Sequence, residues 1–475
     1  MITSTLPWPQ ACSSGRRRIP RLRSGHTCLT SFTPFTILTS FPSVTLLTFL
    51  LFLLFLLPLA STAQVLTPEQ AVAIALEKNH GVRIARNAAA ITKLGNNPGA
   101  AGMLPSVNAN GSYSVDNAST TQEFFTGENR TTDNADARSI GGEVELTWTL
   151  FDGLTMFAAK DRLEAQERIG GQQLRQQLEA TTYSVLTGYY QLVQLEKAVR
   201  VLQRSLETTR ERYAIAETGE RLGAASGLEL VQARLDLGTD SAQLLDLAQQ
   251  AAMAHTALNT LLGRDPGTPF TVDSVIPATA PLQLDTLRQA ALNANSGLQL
   301  AREERIAADL SVKELRGTLL PKLDGFANYG WSRSTSNAGF LKSNERLGPQ
   351  YGLTLSVPLF RGGAVKAVKQ ARLAGEQADL AVQQVQLELE RDLLDLWTQY
   401  RNALQRVALE EGNLEGFRTQ QHVALESYRL GMLTAVELRD VQQGVLAAEN
   451  RLLTAQFEAK MAELRLKWLA GSLAP

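Results

Sequence analysis

The chain is poor in cysteine, and both of its cysteines stand near the N-terminus. Of 475 residues, only Cys12 and Cys28 carry a thiol. Disulfide bonds, thiolate metal sites and cysteine nucleophiles are therefore excluded from everything after residue 28. Aromatic residues make up only 6% of the chain, whereas alanine, leucine, glutamine, glutamate and arginine are abundant. This composition is typical of long helices.

Residue patterns that commonly carry catalysis or bind metals are also missing. After the first 63 residues only His80, His255 and His422 remain, and no two of them are spaced four apart. The sequence contains no glycine–lysine phosphate loop and no G-x-S-x-G nucleophile motif. We therefore expect no catalytic residues, no bound metal and no cofactor, and an enzyme of unknown class is the least favoured interpretation.

An excess of positive charge is absent as well. The chain holds 46 lysine and arginine residues against 47 aspartate and glutamate residues. The first 63 residues contain five of the arginines and no acidic residue, so the rest carries 41 basic against 47 acidic residues. A mildly acidic body lacks the clustered basic surface that nucleic-acid phosphates require, and we expect no nucleic-acid partner.

Residues 1–63 have the features of a secretory signal peptide. A basic stretch, Arg16–Arg23, precedes a 14-residue apolar run, Val44–Leu57, and small residues at Ser61 and Ala63 suit cleavage after Ala63. The alternative is a retained membrane anchor. It is disfavoured because 14 helical residues span only about 21 Å of a hydrocarbon core about 30 Å thick. The unusual length of this leader leaves the true start codon and the cleavage position open.

The rest of the chain consists of two copies of one pattern, assigned to 64–270 and 271–475. Four motifs recur in the same order, at offsets of 216, 216, 209 and 208 residues. The motifs are Ala75–Asn79 with Ala291–Asn295, Leu104-Pro105 with Leu320-Pro321, Leu150–Gly153 with Leu359–Gly362, and Gly223–Leu230 with Gly431–Leu438. Duplication explains this order better than chance similarity between two helical halves.

Each copy is predicted to contain two strands, because the hydrophobic period changes from 3.6 residues to two. The strands are assigned to 105–115, 142–151, 321–332 and 350–360. About ten residues fit a tilted membrane-spanning strand. One face is apolar with Tyr or Trp, and the other is polar and includes Glu143 and Glu145. A water-filled membrane barrel requires this alternation, although a soluble sheet packed on helices would show it too.

The polar segments inside each strand pair, 116–140 and 334–349, are predicted to be long external loops. Four strands are too few to close a barrel, and lipid does not tolerate an open sheet edge. A membrane-spanning sheet therefore requires an oligomer. Two copies would supply eight strands and three would supply twelve, which leaves room for a lumen.

A long helical hairpin follows each strand pair, over 153–263 and 363–471. Apolar residues recur every seven positions in both, which indicates left-handed coiled-coil packing. They are Leu178, Val185, Leu192, Val199 and Leu206 in the first copy, and Leu393, Tyr400, Val407 and Leu414 in the second. Helices of roughly 65 residues would be about 100 Å long.

These features, in this order, resemble the TolC-like outer-membrane efflux proteins. The resemblance covers almost the whole of 64–472. It rests on the Leu-Pro that opens each first strand, on the strand ends Trp148–Gly153 and Val357–Gly363, and on the hairpin tips at Gly223 and Gly431. Each motif is weak alone, but together, twice and in order behind a signal peptide, they are specific.

The resemblance implies a mainly α fold with membrane β-strands. Three copies would form a twelve-stranded barrel in the outer membrane, continued across the periplasm by an α-helical coiled-coil tunnel. The function implied is that of a passive exit duct, not an enzyme, in a tripartite efflux or type I secretion system. The partners implied are outer-membrane lipid, a periplasmic adaptor and an inner-membrane transporter of RND or ABC type. The transported substrate cannot be read from the sequence.

The resemblance also assigns residues at the hairpin tips. Spacing from the tip glycine puts pore-narrowing acidic rings at Glu437 and Asp440 and a closing tyrosine at Tyr428; an ordinary solvated helix face is the alternative. Some members carry an arginine two residues after the glycine. Leu433 stands there in this chain, so their salt-bridge latch has no counterpart at that position.

The tips are expected to contact the adaptor through Gly223, Ser226, Gly431 and Thr434, because small residues let a partner approach the backbone closely. The alternative function is a periplasmic or surface coiled-coil scaffold without a lumen. That scaffold would bury its strands against its helices.

Overall fold

The computed structural model describes residues 65–277, 281–338 and 341–473. The predicted signal peptide, 1–63, lies outside the described residues. The helices are α1 (Pro68–Lys78), α2 (His80–Gly95), α3 (Thr155–Arg221), α4 (Gly227–Leu261), α5 (Leu284–Ala294), α6 (Ser296–Gly317), α7 (Gly362–Arg429) and α8 (Ala435–Leu469). The strands are β1 (Val65–Leu66), β2 (Ser106–Glu123), β3 (Asn129–Phe151), β4 (Thr271–Val272), β5 (Lys322–Ser336) and β6 (Ser343–Ser356).

The element order repeats, as the duplicated sequence predicts. Two short helices, a pair of long strands and a long helical hairpin occur first as α1, α2, β2, β3, α3, α4 and again as α5, α6, β5, β6, α7, α8. The predicted fold class, mainly helical with a duplicated strand–strand–long-helix unit, is confirmed. Strands β1 and β4 pair in parallel and join the start of the first copy to the start of the second.

Local hydrogen bonds fix where the short helices begin. Thr67 closes a capping box on α1, in which its hydroxyl accepts from the Gln70 amide and Gln70 accepts from the Thr67 amide, both at 3.3 Å. The sequence predicts this box from Thr-Pro-Glu-Gln, with proline in the first turn where no amide hydrogen is needed.

An asparagine ties each short helix pair to the far end of its own hairpin. Asn79 Oδ1 accepts from the Val82 amide, and its Nδ2 donates to the Leu261 carbonyl at 2.8 Å. In the second copy, Asn295 Nδ2 donates to the Leu469 carbonyl at 3.0 Å. Each copy is therefore closed on itself by the same contact.

The long strands form one antiparallel sheet in the order β2-β3-β5-β6. Side chains that pair directly across the strands lie on the same face, so each face can be read as rows. A polar row contains Asn108, Glu145, Asn328 and Gln350, and the adjacent apolar row on the opposite face contains Val107, Leu146, Ala327 and Tyr351. The apolar face is exposed in a single copy, for example 81% at Tyr351 and 68% at Leu353.

The strands extend beyond the predicted ranges, and the predicted loop over 116–140 is wrong for most of its length. Strands β2 and β3 remain paired as far as Glu123 and Asn129, which leaves a turn of residues 124–128. Threonines face each other in this outer part, with the Thr121 and Thr131 hydroxyls 3.3 Å apart. β-branched residues favour strands even in polar sequence, and cross-strand Thr pairs add stability.

The second strand pair differs from prediction in the same way. Strand β6 begins at Ser343, inside the segment 334–349 that is predicted to be a loop, and it ends at Ser356 rather than at 360. The early end has a plain cause, since Pro358 has no amide hydrogen to donate to a neighbouring strand.

The helices pack side by side as a layer. In the half nearest the sheet the order is α2-α3-α6-α7, and in the half nearest the hairpin tips it is α4-α3-α8-α7. Helix α7 is thus one edge of the layer, and the opposite edge is α2 and then α4. Close to the tips the two edges meet, because Tyr428 of α7 reaches Glu229 of α4. Among the described residues, no helix has an apolar stretch long enough to cross a membrane.

Most of the predicted heptad positions are buried in the helical core. Val185 and Leu192 of α3 are fully buried with Tyr189, whose hydroxyl donates to the Leu66 carbonyl at 2.8 Å. In the second copy, Leu393 and Tyr400 are buried in the equivalent cluster. The seven-residue repeat of the sequence thus corresponds to the coiled-coil seam.

Candidate functional site at the hairpin tips

Both long hairpins turn through the same backbone motif. Gly223 and Gly431 have φ of +71° and +73°, a left-handed conformation that glycine adopts without strain. At the first tip the Ala224 amide donates to the Gly219 carbonyl at 2.7 Å, and at the second the Met432 amide donates to the Ser427 carbonyl at 2.9 Å. These bonds define a Schellman turn, so the glycines end α3 and α7 for a local reason.

Each returning helix is capped by the hydroxyl residue of the tip motif. Ser226 accepts from the Glu229 amide at 3.2 Å and starts α4. Thr434 starts α8 in a capping box, because its hydroxyl accepts from the Glu437 amide while its own amide donates to Glu437 Oε2 at 2.9 Å. The sequence predicts Gly223, Ser226, Gly431 and Thr434 as contact residues, and all four are exposed.

The structure places Glu437 and Asp440 on one exposed face of α8. The opposite face, with Leu438 and Gln442, is buried. Glu437 has a structural task as well, since the Thr434 amide and hydroxyl donate to its carboxylate and hold its pKa below the usual value. A carboxylate that accepts hydrogen bonds stays ionised to lower pH.

Tyr428 lies at the boundary between the two hairpins. Its hydroxyl donates to Glu229 Oε1 of α4 at 3.3 Å. Burial and the nearby Glu229 carboxylate both raise the pKa of this phenol, so it stays protonated and remains a donor. One residue further on, Arg429 donates to Glu211 of α3 at 2.9 Å.

A largely buried group of charged and polar side chains lies behind these contacts, and we call it the tip cluster. It consists of Thr209, Arg212, Asp236, Asp240 and Arg439. Arg439 of α8 binds both carboxylate oxygens of Asp240, at 2.6 and 2.7 Å. The Thr209 hydroxyl donates to the same carboxylate at 2.7 Å, and Asp240 is only 2% exposed.

The second half of the tip cluster joins the same three helices. Arg212 of α3 pairs with Asp236 of α4, and its other terminal nitrogen donates to the Ala435 carbonyl at the start of α8, at 3.5 Å. A cavity of about 100 Å³ adjoins the cluster and is lined by Tyr428 and Val436. Within the described ranges, no group of His, Asp and Glu side chains is arranged to hold a metal ion.

The sequence predicts site residues in the two turns and at Tyr428, Glu437 and Asp440, but it predicts no member of the tip cluster. One feature of the sequence does indicate a charged partner here. Asp236 and Asp240 stand four residues apart on one helix, so their like charges repel each other unless a cation lies nearby. That cation comes from Arg439, 199 residues away. Nothing local in the sequence connects the two segments.

Comparison with known proteins gives consistent matches. A family model described as "Outer membrane efflux protein" matches residues 75–264 and 287–472. The alkaline protease secretion protein AprF of Pseudomonas aeruginosa is 23% identical over 350 residues, covering 72% of this chain and 71% of AprF. The outer membrane efflux protein BepC of Brucella suis is 22% identical, covering 73% of this chain and 75% of BepC.

A solved channel shares the fold. The structure of the CmeC outer membrane channel of Campylobacter jejuni superposes with a TM-score of 0.71 and 15% identity, covering 85% of each chain. The OprN outer-membrane channel superposes with a TM-score of 0.69 and 19% identity, covering 86% of this chain and 91% of OprN. Likeness at this level of identity establishes the fold.

Proposed function

The chain belongs to the outer membrane efflux protein family, and from that premise we propose that it is the outer-membrane exit duct of a tripartite efflux or type I secretion system. Relatives named for protease secretion and for efflux support this general role. The duct is a passive channel rather than an enzyme.

The observation that carries this proposal is the exposed apolar face of the sheet. Tyr351, Leu353 and Leu355 of β6 are all at least 65% exposed, so the face does not pack on the helices of its own copy. In water such a face would cost free energy in proportion to its apolar area. In lipid it is the expected outer surface of a barrel, with the polar rows facing an aqueous lumen.

The scaffold alternative is less consistent with this geometry. It requires the strands to be buried against helices, whereas the apolar side chains of β6 are exposed. The polar face of the sheet carries its own hydrogen bonds, such as Thr149 to Asp324 at 2.9 Å. A coiled-coil scaffold does not require a sheet with one exposed apolar face and one polar face.

The unpaired edges of the sheet and of the helix layer support a closed ring of copies. Strands β2 and β6 leave unpaired backbone groups at both sides of the sheet, and lipid cannot satisfy them. Helix α7 exposes leucines every seven residues, at Leu373, Leu380, Leu387 and Leu394, each between 55% and 70% exposed. The opposite edge exposes Ile84 and Ile91 on α2. The sheet and the helix layer therefore both close into a ring if β6 and α7 of one copy contact β2 and α2 of the next.

We infer three copies from the lumen that a duct requires. Three sheets give twelve strands, enough for a lumen, whereas two give eight and fill the interior with side chains. A head-to-tail interface that closes by rotation produces a ring rather than a fibre. The helices then continue the ring as a tunnel that extends from the membrane into the periplasm.

The hairpin tips are the proposed contact with a periplasmic adaptor, which would couple the duct to an inner-membrane transporter of RND or ABC type. Gly223, Ser226, Gly431 and Thr434 are exposed, and the two turns share one backbone geometry. Cysteines placed at Ala225 and Leu433 should crosslink to the adaptor in cells, because both lie within the turns. Crosslinks that form only at mid-hairpin positions such as Gln250 would contradict this contact.

Membrane fractionation and electrical recording test the duct itself. The mature protein should float with outer membrane, and the purified oligomer should conduct ions in planar lipid bilayers. A protein that remains in the periplasmic fraction and conducts no ions would instead favour the scaffold.

A further inference from the structure

The apolar face of the sheet ends in charged residues on the side away from the helices. One row of this face contains Tyr351, and the row six residues further along every strand contains Arg333. The members of that second row, which we call the rim row, are Tyr113, Ile140, Arg333 and Glu345. One step further out on the same face, Arg138 lies opposite Thr335. Two arginines therefore stand just beyond the last apolar side chains of this face.

The height of the rim row matches the outer surface of a membrane. Leu355 and Glu345 lie on the same face of β6, ten residues apart, and β6 ends at Ser356. With a rise of about 3.4 Å per residue, ten residues extend about 34 Å along a strand. A strand tilted by about 40° then gains about 26 Å in height, and the apolar band of a membrane barrel is about 25 Å tall. With the Leu355 row at the periplasmic boundary, the rim row lies among the outer headgroups.

Aromatic side chains mark the same two levels of the apolar face. Trp148 and Tyr351 lie towards the helices, whereas Tyr113 and Trp331 lie in or next to the rim row. Tryptophan and tyrosine concentrate at both membrane–water interfaces. Trp331 Nε1 donates to Glu345 Oε1 at 2.7 Å, so the polar edge of the indole points to the rim row. The height of the strand and the aromatic residues thus place the outer interface at the same level.

The two arginines at this level have donors to spare. Arg333 is exposed and forms no hydrogen bond or ion pair with any other residue that the structure describes. Arg138 contacts Asp136 at 3.3 Å, but the two side chains are 60% and 38% exposed, and such pairs contribute little in water. Each guanidinium carries five N–H donors in a planar fork. Most of these donors remain free for a ligand.

The two arginines are close enough to share one ligand. Arg138 lies opposite Thr335, and Arg333 is the next residue of β5 on that face, so the two are diagonal neighbours. The Cα atoms of such neighbours are about 7–8 Å apart, within reach of long side chains. A phosphate offers three strong acceptor oxygens and more than one negative charge, so it can bind both guanidinium groups at once.

Two carboxylates also belong to this surface, and they limit its affinity without occupying it. Asp136 lies beside Arg138, as described above, and Glu345 is paired in register with Arg333. The contact of Glu345 is with Trp331 and not with Arg333. Its negative charge should repel an anion bound to Arg333, so removal of that charge should strengthen binding.

We propose that Arg333 and Arg138 bind the phosphate group of an anionic lipid in the outer leaflet, with one site on each copy. The lipid chains would lie along the apolar face directly below, beside Trp331. A lipid is favoured over free phosphate because the guanidinium groups stand at the end of an exposed apolar band. The inference rests on the proposed duct, since it requires this face of the sheet to contact lipid.

Native mass spectrometry of the purified oligomer tests the site with two lipids that differ only in the headgroup. The probes are dioleoyl phosphatidic acid and dioleoylglycerol, which lacks the phosphate. EDTA is present throughout, so that bridging by divalent cations through Asp136 and Glu345 does not contribute. The wild-type trimer should retain three molecules of phosphatidic acid and no dioleoylglycerol. Inorganic phosphate at the concentration of the lipid should not displace it.

A matched pair of arginine variants locates the site on one face. Arg333→Gln should weaken binding of phosphatidic acid about ten- to a hundredfold, the order expected for the loss of hydrogen bonds to a charged group. Arg346 is exposed at the same end of the sheet but belongs to the polar face, in the row of Ser112 and Ser332. Arg346→Gln makes the same chemical change and should leave binding unaltered.

A gain of affinity separates binding from any effect on folding. Glu345→Gln removes the opposing charge but keeps an acceptor oxygen for the Trp331 indole. This variant should bind phosphatidic acid several-fold more tightly than the wild type. A damaged fold would weaken binding, so tighter binding can come only from the loss of repulsion.

Three results would overturn the inference. They are equal retention of the two lipids by the wild type, equal loss in Arg333→Gln and Arg346→Gln, and displacement of the lipid by inorganic phosphate at the same concentration. A trimer that conducts ions in planar bilayers but shows no preference for phosphatidic acid contradicts the lipid site alone. A protein that neither assembles nor conducts contradicts the proposed duct, and the lipid site with it.

Discussion

At the scale of single residues, Glu437 combines a structural and an electrostatic role. Its carboxylate closes the cap of α8 through Thr434, and the same hydrogen bonds keep its pKa low. In a ring of three copies, Glu437 and Asp440 would each contribute three carboxylates around one axis. If neighbouring carboxylates were about 6 Å apart, each pair would repel by about 3 kcal/mol at an effective dielectric constant of about 20.

Such rings should make the channel prefer cations. We expect Glu437→Gln/Asp440→Asn to lose this preference and to lose block by multivalent cations, measured as reversal potential and conductance in planar bilayers. Glutamine preserves the capping box, so the fold of the tip should survive. The exposed carboxylate of Asp246, far from the tip, serves as control in Asp246→Asn. An unchanged reversal potential in the double variant would place Glu437 and Asp440 on an outer, solvated face.

Asp240 should contribute stability that depends on pH in a definite direction. Burial opposes its ionisation, but the Arg439 guanidinium and the Thr209 hydroxyl outweigh burial and hold its pKa below the usual value. A lowered pKa in the folded state means that the contribution is full above the unfolded pKa, about 3.9. It is lost as the pH falls through the lower, folded value.

We therefore expect Asp240→Asn to lower the melting temperature at pH 7 by the equivalent of about 3 kcal/mol, the order typical of breaking a buried ion pair. Below about pH 4 the difference from wild type should shrink. Thermal denaturation in detergent between pH 7 and pH 3 measures it. Asp392→Asn, which breaks an exposed pair with Arg391, should change little at any pH. A difference that grows towards acid would contradict the assignment.

At the scale of elements, a glycine ends each hairpin where it meets its short helix pair. Gly263 and Gly471 have φ of +68° and +66°. A Cβ on Gly263 would lie 2.6 Å from the Lys78 carbonyl oxygen, and one on Gly471 would lie 2.4 Å from that of Ala294. Only glycine allows the backbones to approach this closely.

Alanine at either position should destabilise the protein. We expect Gly263→Ala and Gly471→Ala each to cost more than about 1 kcal/mol, since a left-handed conformation and a backbone clash combine. Gly171, inside α3 with nothing within 4 Å, is the matched control. Gly171→Ala should stabilise by roughly 0.5–1 kcal/mol. Chemical denaturation of the purified oligomer gives these values, and equal effects at all three sites would contradict the argument.

Sequence alone predicts the elements whose causes are local. The capping box at Thr67 and the heptads around Leu192 depend on neighbours a few residues away, and the structure confirms them. Sequence alone does not predict the outer halves of β2 and β3, because polar Thr and Asn resemble a loop until the register sets Thr121 opposite Thr131. It does not predict the role of Arg439 either, since the partner Asp240 is distant in sequence.

At the scale of the whole molecule, assembly should depend on the leucine edge of α7. Leu380 and Leu387 are 64% and 70% exposed in one copy and would be covered in the ring. We expect Leu380→Asp/Leu387→Asp to prevent assembly, because charges would be buried in an apolar contact. Native mass measurement in mild detergent should give the monomer instead of the trimer.

The matched control for the edge is Leu222, which is 77% exposed at the first tip and away from the leucine row. Leu222→Asp introduces the same chemical change and should leave the trimer intact. A wild-type protein that is a stable, fully folded monomer would contradict the ring and with it the barrel.

The contacts that close each copy on itself bear on how the chain arose. Asn79 reaches Leu261 and Asn295 reaches Leu469, so the same contact joins the short helices to the hairpin within each copy. A half-length ancestor with two strands and one hairpin could have built a twelve-stranded ring from six identical chains. Fusion of two such units would halve the number of subunits and let the two halves diverge. At the tips, Glu229 of the first copy and Glu437 of the second occupy equivalent positions, whereas Gln232 stands where the second copy has Asp440.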